Sequence, residues 1–238
     1  MQFPTPLLRA TLIRRYKRFL ADIRLPDGTQ VTAHCANPGA MTGLNQEGTP
    51  IWVEPNNDPK RKLNYSWKLV ELSGEDWAVV DTAIPNRIVA EALGKGTITE
   101  LSDYKGLRAE VPYGEGSRID FLLTEPGLQD VYLEVKGVTL RQSDDWGSFP
   151  DSVTMRGTKH LKELTAMALA GHRAVMLFVM HRTDCRRLKI ASEIDPAYAQ
   201  AFESARSAGV EMLCYGTEIS PMAVTLDGAL PVDPRKQI

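Results

Sequence analysis

Three charged residues stand inside two apolar runs of strand length. Asp120 lies in Arg118-Ile119-Asp120-Phe121-Leu122-Leu123, and Glu134 and Lys136 lie in Val131-Tyr132-Leu133-Glu134-Val135-Lys136. A charge in a buried strand is costly unless it is paired or binds a metal. Side chains alternate along a strand, so Glu134 and Lys136 share one face, while Val131, Leu133 and Val135 share the other. Thr124-Glu125-Pro126-Gly127 between the runs has the composition of a turn. The two runs therefore read as a hairpin, in which Asp120 can lie level with Glu134. Two carboxylates and an ammonium on one sheet face can form a divalent-metal site, because a hard cation such as Mg²⁺ takes a few carboxylate oxygens, waters and substrate phosphates. The competing reading is an exposed face carrying ordinary salt bridges. The apolar density of both runs weighs against that face being solvated.

The elements around this pair divide the chain in two. From Leu8 to Leu25, Arg9, Arg14, Arg15, Lys17 and Arg18 alternate with Leu12, Ile13, Tyr16 and Phe19, a pattern of a long strand with one basic face or of two strands with a bend. A hairpin signal, Pro26-Asp27-Gly28, follows. Short runs at 29–33, 49–53, 65–72 and 77–81 are broken by Gly, Pro and Asn, which predicts a small barrel, OB-like or alternatively SH3-like. Basic residues interleaved with aromatics suit nucleic acid, since cations meet phosphates and rings stack on bases. Lys60-Arg61-Lys62 ahead of Tyr65 and Trp67 fits that pattern, and the Arg14–Arg18 cluster supplies a second patch. The alternative is that Tyr65 and Trp67 are core and the charges are solvated.

After Thr82 the periodicity changes. Pro85 to Leu93 reads as a helix that Asn86 can cap, with Ile88, Val89, Ala92 and Leu93 as its buried stripe and Glu91 beside it. Arg108–Tyr113 reads as a strand, 141–150 as a polar loop, and Leu161, Leu164, Ala168 and Leu169 repeat at helical spacing. Arg173–Met180 is a buried strand, Pro196–Ala208 a helix ended by Gly209, and Val210–Tyr215 a strand. The tail from Ser220, with Pro221, Pro231 and Pro234, reads as irregular. Helices and strands in this order predict an α/β or α+β domain around a mixed sheet.

With 238 residues, 43% hydrophobic and 24% charged, the composition is that of an ordinary soluble protein of one or two domains. A net charge of −2 creates no global field for nucleic acid, so any such affinity must be local. The three cysteines are far apart and form no C-x-x-C pair, which indicates neither a zinc ribbon nor a disulfide framework. Phosphate-binding glycine loops and the G-x-S-x-G elbow are absent. Met1-Gln2-Phe3-Pro4 does not read as a signal peptide and no apolar run reaches membrane-spanning length, so a cytoplasmic location is expected.

Five blocks, taken together, resemble the sugar fermentation stimulation protein A family: Arg14 to Asp22; His34-Cys35 with Asn37 to Met41; Ser117 to Phe121; Glu134-Val135-Lys136 with Val138-Thr139-Leu140; and Phe149-Pro150-Asp151 with Lys159-His160-Leu161. They fall in order over nearly the whole chain. The resemblance implies an N-terminal OB-like domain over residues 1–82 and a PD-(D/E)xK nuclease-like domain with a mixed sheet over 83–238. It implies DNA binding, whether single- or double-stranded, and a role in sugar, particularly maltose, metabolism. The nuclease motif falls on Asp120, Glu134 and Lys136 as catalytic residues, with Glu91 as the helix carboxylate. Asp120, Glu134 and Glu91 would then hold Mg²⁺ or Mn²⁺. The expected nucleic-acid contacts are Arg14, Arg15, Lys17, Arg18, His34, Asn37, Arg61, Lys62, Arg118, Arg156, Lys159 and His160. The chain departs from the family at Ala36-Asn37-Pro38-Gly39, usually Pro-Asn-Thr-Gly, at Met155, where the family has an acidic residue, and at Gly137, usually Ser. The function expected is that of a DNA-binding protein with a Mg²⁺-dependent hydrolase site. The rivals are a non-catalytic DNA-binding regulator on a nuclease scaffold and a protein-interaction adaptor.

Overall fold

A computed structural model describes residues 1–114 and 116–233. The first six strands are β1 (Leu8–Tyr16), β2 (Leu20–Arg24), β3 (Gln30–Cys35), β4 (Pro50–Pro55), β5 (Tyr65–Glu71) and β6 (Trp77–Val79). They form one sheet in the order β3-β2-β1-β4-β5-β6. A parallel pairing of β3 with β5, His34 opposite Ser66 and Cys35 opposite Trp67, joins its ends and closes the first five strands into a barrel. Strand alternation fills the interior with Leu12, Ala21, Ile23, Ala33, Ile51, Val53 and Trp67. The basic run of the sequence is thus two strands, and its bend is the tight turn Lys17-Arg18-Phe19, where Lys17 and Arg18 both adopt positive φ.

The second region opens with α1 (Ile84–Lys95), which begins with Pro85 in its first turn and ends on Gly96 in the left-handed conformation. It continues through β7 (Gly106–Tyr113), β8 (Ser117–Thr124), β9 (Val131–Val138), β10 (Leu140–Ser143), β11 (Trp146–Phe149), α2 (Met155–Leu169), β12 (Arg173–Met180), β13 (Arg187–Ile190), α3 (Pro196–Ser207), β14 (Glu211–Ile219) and β15 (Val224–Ala229). A mixed six-stranded sheet runs β15-β14-β12-β9-β8-β7, with β12 parallel to both β9 and β14. Its two faces carry separate cores. Leu133, Val135, Val175 and Leu177 pack under Ile84, Ile88, Val89 and Ala92 of α1. Met176 and Phe178 pack under Leu161 and Leu164 of α2 and Tyr198 and Phe202 of α3.

Three local expectations are corrected. Residues 141–150 are not a loop: β10, β11 and β13 form a small third sheet, held by a parallel register of Trp146 to Phe149 against Arg187 to Ile190. The tail is not irregular either, because β15 pairs antiparallel with β14, although Pro234 lies outside the described residues. Leu169 is not on the buried stripe of α2 but is exposed, at the helix end where the chain turns away.

Both ends of the barrel are fastened to the second region. Met1 donates to the Val224 carbonyl at 2.6 Å, and Gln2 bridges to Ala223. At the other end the Val79 N–H donates to His181 O at 2.9 Å, and the Trp77 N–H donates to the Thr183 hydroxyl at 2.9 Å. Lys68 of β5 bonds the buried Asp81 carboxylate at 2.5 Å just where the chain leaves the barrel. No helix among the described residues is long and apolar enough to cross a membrane.

Candidate active site

The ladder between β8 and β9 joins Phe121 to Leu133, Leu122 to Tyr132 and Leu123 to Val131, and goes no further. Beyond Phe121 the strands part, and Asp120 fills the gap with its side chain. One carboxylate oxygen accepts the Val135 N–H at 2.7 Å, and the other accepts the Asn86 amide at 2.8 Å. On β9, Glu134 is 2% exposed and Lys136 is half-buried on the same face, as alternation requires. Lys136 Nζ donates to Glu134 Oε1 at 2.6 Å.

His160, from the second turn of α2, closes the cluster. Its Nδ1 contacts Glu134 Oε1, and Lys136 Nζ stands 3.3 Å from that same nitrogen. Arg156 Nε donates to His160 Nε2 at 3.3 Å, which makes Nε2 the acceptor and assigns the ring proton to Nδ1, facing Glu134. Glu134 Oε1 therefore receives two donors, while Oε2 is buried with no hydrogen-bond partner among the described residues. An orphaned carboxylate oxygen under burial is costly, and a cation would satisfy it.

The two carboxylates are driven in opposite directions. Burial pushes Asp120 above the ordinary carboxylate range, the charge of Glu134 pushes it further, and its two hydrogen bonds offset only part. Burial also works against ionised Glu134, but the His160 bond and the Lys136 charge outweigh it and hold the group below its usual range. Paired carboxylates with separated acidities are a common feature of sites that handle protons or metals.

Glu91 does not join this cluster. One of its oxygens takes Lys95 at 2.6 Å and the other takes the Met1 amino group at 2.7 Å, and the Lys95 bond first and the amino group second hold its carboxyl down at about 2. Helical phase explains the displacement: five residues separate Glu91 from Asn86, about 140° around the helix. The turn of α1 that meets Asp120 carries Asn86, which bonds Asp120 and does not cap the helix. No group of three or more His, Cys, Asp and Glu residues suited to a metal occurs among the described residues. The centre has two carboxylates, which suffices for a Mg²⁺-type ion that keeps waters and substrate oxygens as its other ligands. Asp120 and Glu134, with the free Oε2, fit that donor set.

Three further residues near the centre gave no signal of their own in the sequence. Asn86 looked like a cap. Tyr113 and Glu163 are buried, and the Tyr113 hydroxyl is pushed up by burial and then by Glu134, Glu163 and Asp120. Lys159 Nζ stands 3.6 Å from Glu163 Oε1. The Tyr sits at a strand end and the Glu on a helix flank, positions where neither type is unusual.

The expected nucleic-acid residues separate into free and engaged. Lys17, Arg18, Arg61 and Lys62 are exposed, and none forms an ion pair among the described residues. Arg14 bonds Asp22 at 2.8 Å. Arg15 donates to the Arg18 and Asn37 carbonyls at 3.2 and 2.7 Å, so it braces the loop after β3. Asn37 is itself buried, its side-chain oxygen accepting the Gly39 N–H at 2.8 Å. His34 is exposed and stacks on Phe19, ring centroids 6.4 Å apart. Arg118 is exposed on β8 and leans on the Glu110 carbonyl, while Arg156 and Lys159 are exposed on α2. His160 is buried against Glu134 and faces no solvent. The basic–aromatic interleaving at 60–67 is overturned at Trp67, which is fully buried with its indole N–H bonded to Leu69 O, while Tyr65 is half-buried and packs on the barrel core.

Comparison with known proteins now bears on the whole chain. The SfsA N-terminal OB domain matches residues 13–80, and the Sugar fermentation stimulation protein RE domain matches 83–223. The sugar fermentation stimulation protein homolog of Dinoroseobacter shibae is 60% identical over 238 residues, covering 100% of this chain and 98% of that protein. The chain belongs to the sugar fermentation stimulation protein family. The Jannaschia homolog, 58% identical, covers 100% of the chain and 99% of its own length. A solved structure of Pyrococcus furiosus SfsA in complex with Ca²⁺ superposes with a TM-score of 0.87 at 26% identity, covering 98% of each chain. The family fold, an OB barrel followed by a nuclease-like mixed-sheet domain, is thus the fold of this chain.

Proposed function

We propose that this protein binds DNA and hydrolyses its phosphodiester bonds with a divalent metal held by Asp120 and Glu134. One observation carries the reading: at the parting of β8 and β9, two carboxylates and Lys136 converge, and the buried Glu134 Oε2 has no partner among the described residues. Support for a divalent ion comes from the Pyrococcus furiosus relative, whose structure holds Ca²⁺. The family name supports a link to sugar metabolism, and the maltose role expected from the resemblance belongs to this reading.

A Mg²⁺ or Mn²⁺ ion at this place supplies an acidified water and neutralises phosphate oxygens. The remaining work falls to the chain. Asn86 and the Val135 N–H fix the Asp120 carboxylate, and His160 fixes Glu134 from the side opposite its free oxygen. Lys136, still partly open to solvent, holds its ammonium where charge develops on the phosphate. Arg156, exposed one helical turn before His160, offers a cation to the backbone. Lys17, Arg18, Arg61 and Lys62 supply phosphate contacts at a distance from the chemistry.

One observation favours a second reading, a DNA-binding regulator without catalysis. Each Asp120 oxygen already accepts one donor and Glu134 Oε1 accepts two, so three of the four carboxylate oxygens have partners within the protein. Incubating the protein with single- and double-stranded DNA in Mg²⁺, Mn²⁺ or EDTA separates the two. The hydrolase reading expects metal-dependent cleavage that Glu134→Gln abolishes. Binding without cleavage in every metal leaves the regulator.

A further inference from the structure

A cleft of about 310 Å³ opens between the barrel and the second region. One wall is the loop after β3, Asn37 to Gly39, and the other is Ser148 to Ser152, with Gly137 and Pro85 at its base. It is at the small end of the roughly 300–1,000 Å³ found for ligand pockets. Gly137 and Pro85 are chain neighbours of Lys136 and Asn86, but the Gly137 position faces His181 and Pro85, and none of Asp120, Glu134, Lys136 and His160 lines the cleft.

Its lining shows what it can hold. Ser148 is 1% exposed and His181 2%, and both line the cleft. Among the described residues neither the Ser148 hydroxyl nor His181 Nε2 has a hydrogen-bond partner. Buried polar atoms left unpaired are costly, and here a ligand would pair them. Burial holds His181 down at about 4, so at neutral pH its ring is uncharged, with one nitrogen donating and the other accepting. Among the described residues no lysine or arginine lines the cleft, and the Asp151 carboxylate does, which disfavours a phosphate or another anion. Phe149 and Pro150 supply an apolar wall. A small, neutral, flat group with donors and acceptors on its edge answers all of these features.

We propose that this cleft receives the unpaired base of a DNA strand whose backbone phosphate lies at the Asp120–Glu134–Lys136 centre, which makes unpaired DNA the substrate class. The proposal rests on the DNA-hydrolase reading for the phosphate's place. A base paired inside a duplex cannot present its edge to a walled cleft, whereas a single-stranded or extruded base can. The loop at 37–39 then has a purpose beyond the barrel: braced by Arg15, it forms the wall that separates base from solvent.

The test measures the affinity of the whole protein, with Ca²⁺, for a labelled single-stranded oligodeoxynucleotide and for the same backbone with every base removed. Wild type should prefer the strand with bases by tenfold or more. Ser148→Ala should lower that preference about five- to tenfold, the worth of one hydrogen bond into a buried site, with the melting temperature unchanged or raised, because an unpaired hydroxyl has been removed. Ser152→Leu, at the exposed mouth, should lower it as well by blocking entry. Equal affinity of wild type for both strands overturns the proposal, as does an unchanged preference in both variants. Cleavage with Mg²⁺ is scored in parallel. Base preference without cleavage keeps the cleft and removes the hydrolase reading; cleavage without base preference does the reverse.

Discussion

The Asp120 carboxylate accepts the Val135 backbone N–H at 2.7 Å, spanning the place where β8 and β9 cease to pair. A side chain thus does the work of a ladder bond and keeps the strands apart at a fixed width. Removing it would leave a backbone donor unsatisfied, so Asp120 is structural as well as chemical. Its neighbours Glu134 and Lys136 are therefore the better probes of function.

Lys136→Ala should keep metal binding and most DNA affinity but lose cleavage by a factor on the order of 10² or more, as when a donor to the transition state is removed. Lys136→Arg should not fully restore activity, since a planar guanidinium cannot act as a base. Cleavage rates beside a thermal-shift titration with Mn²⁺ check both statements.

Metal should raise the melting temperature of the wild type by mass action. The increment should vanish in Glu134→Ala and persist in Glu91→Ala, whose carboxylate serves Met1 and Lys95 instead. An increment lost in both variants would mean that the helix carboxylate reaches the metal after all.

The exposed cations predict a salt signature. Each phosphate contact on duplex DNA adds roughly 0.9 to the slope of log affinity against log salt. Removing Lys17 and Arg18 together should flatten that slope without changing stability, whereas Arg15→Ala should lower stability by freeing the loop at Asn37. Salt-dependent binding isotherms and thermal melts on the same samples separate the two effects.

Acid should find a weak point at His181. Its folded value, about 4, lies below the ordinary value of 6.5 because burial opposes the charge. A group depressed in this way stabilises the fold above its unfolded pKa, and that stability is lost as pH falls from about 6.5 through about 4. Over that window the loss is on the order of 3 kcal/mol. His181→Gln should flatten the decline, as read from unfolding midpoints across the pH range.

Much of this was legible in the sequence where a local rule dominates. Alternation put Glu134 and Lys136 on one face of β9, and the Pro-Gly turn gave the β8–β9 hairpin. Reading failed where partners are distant. Glu91 matched the helix carboxylate that the family resemblance implies, but helical phase and the Met1 amino group took it elsewhere. Trp67 and Tyr65 looked available to stack, yet closure of the barrel by β3 and β5 buries Trp67 and leaves Tyr65 half-buried against the core. The strands of 140–149 and 224–229 are short and polar, and they exist because β13 and β14 offer them an edge. Asn37 and Phe149 to Asp151 stood in two separate blocks of the resemblance, but nothing in the sequence joined them to Ser148 and His181, because these residues meet only in three dimensions.

The double fastening of the barrel has a kinetic consequence. Met1 to Gln2 grip one edge of the second region, while Trp77 to Val79 grip the strand end at His181 and Thr183. A body tethered at a single point can swing open; one tethered at two, on different strands, cannot do so without breaking backbone hydrogen bonds. On the proposed DNA-binding reading, a strand would thread into a gap whose width is already set, and its arrival should follow one concentration-dependent phase with no slow closing step behind it.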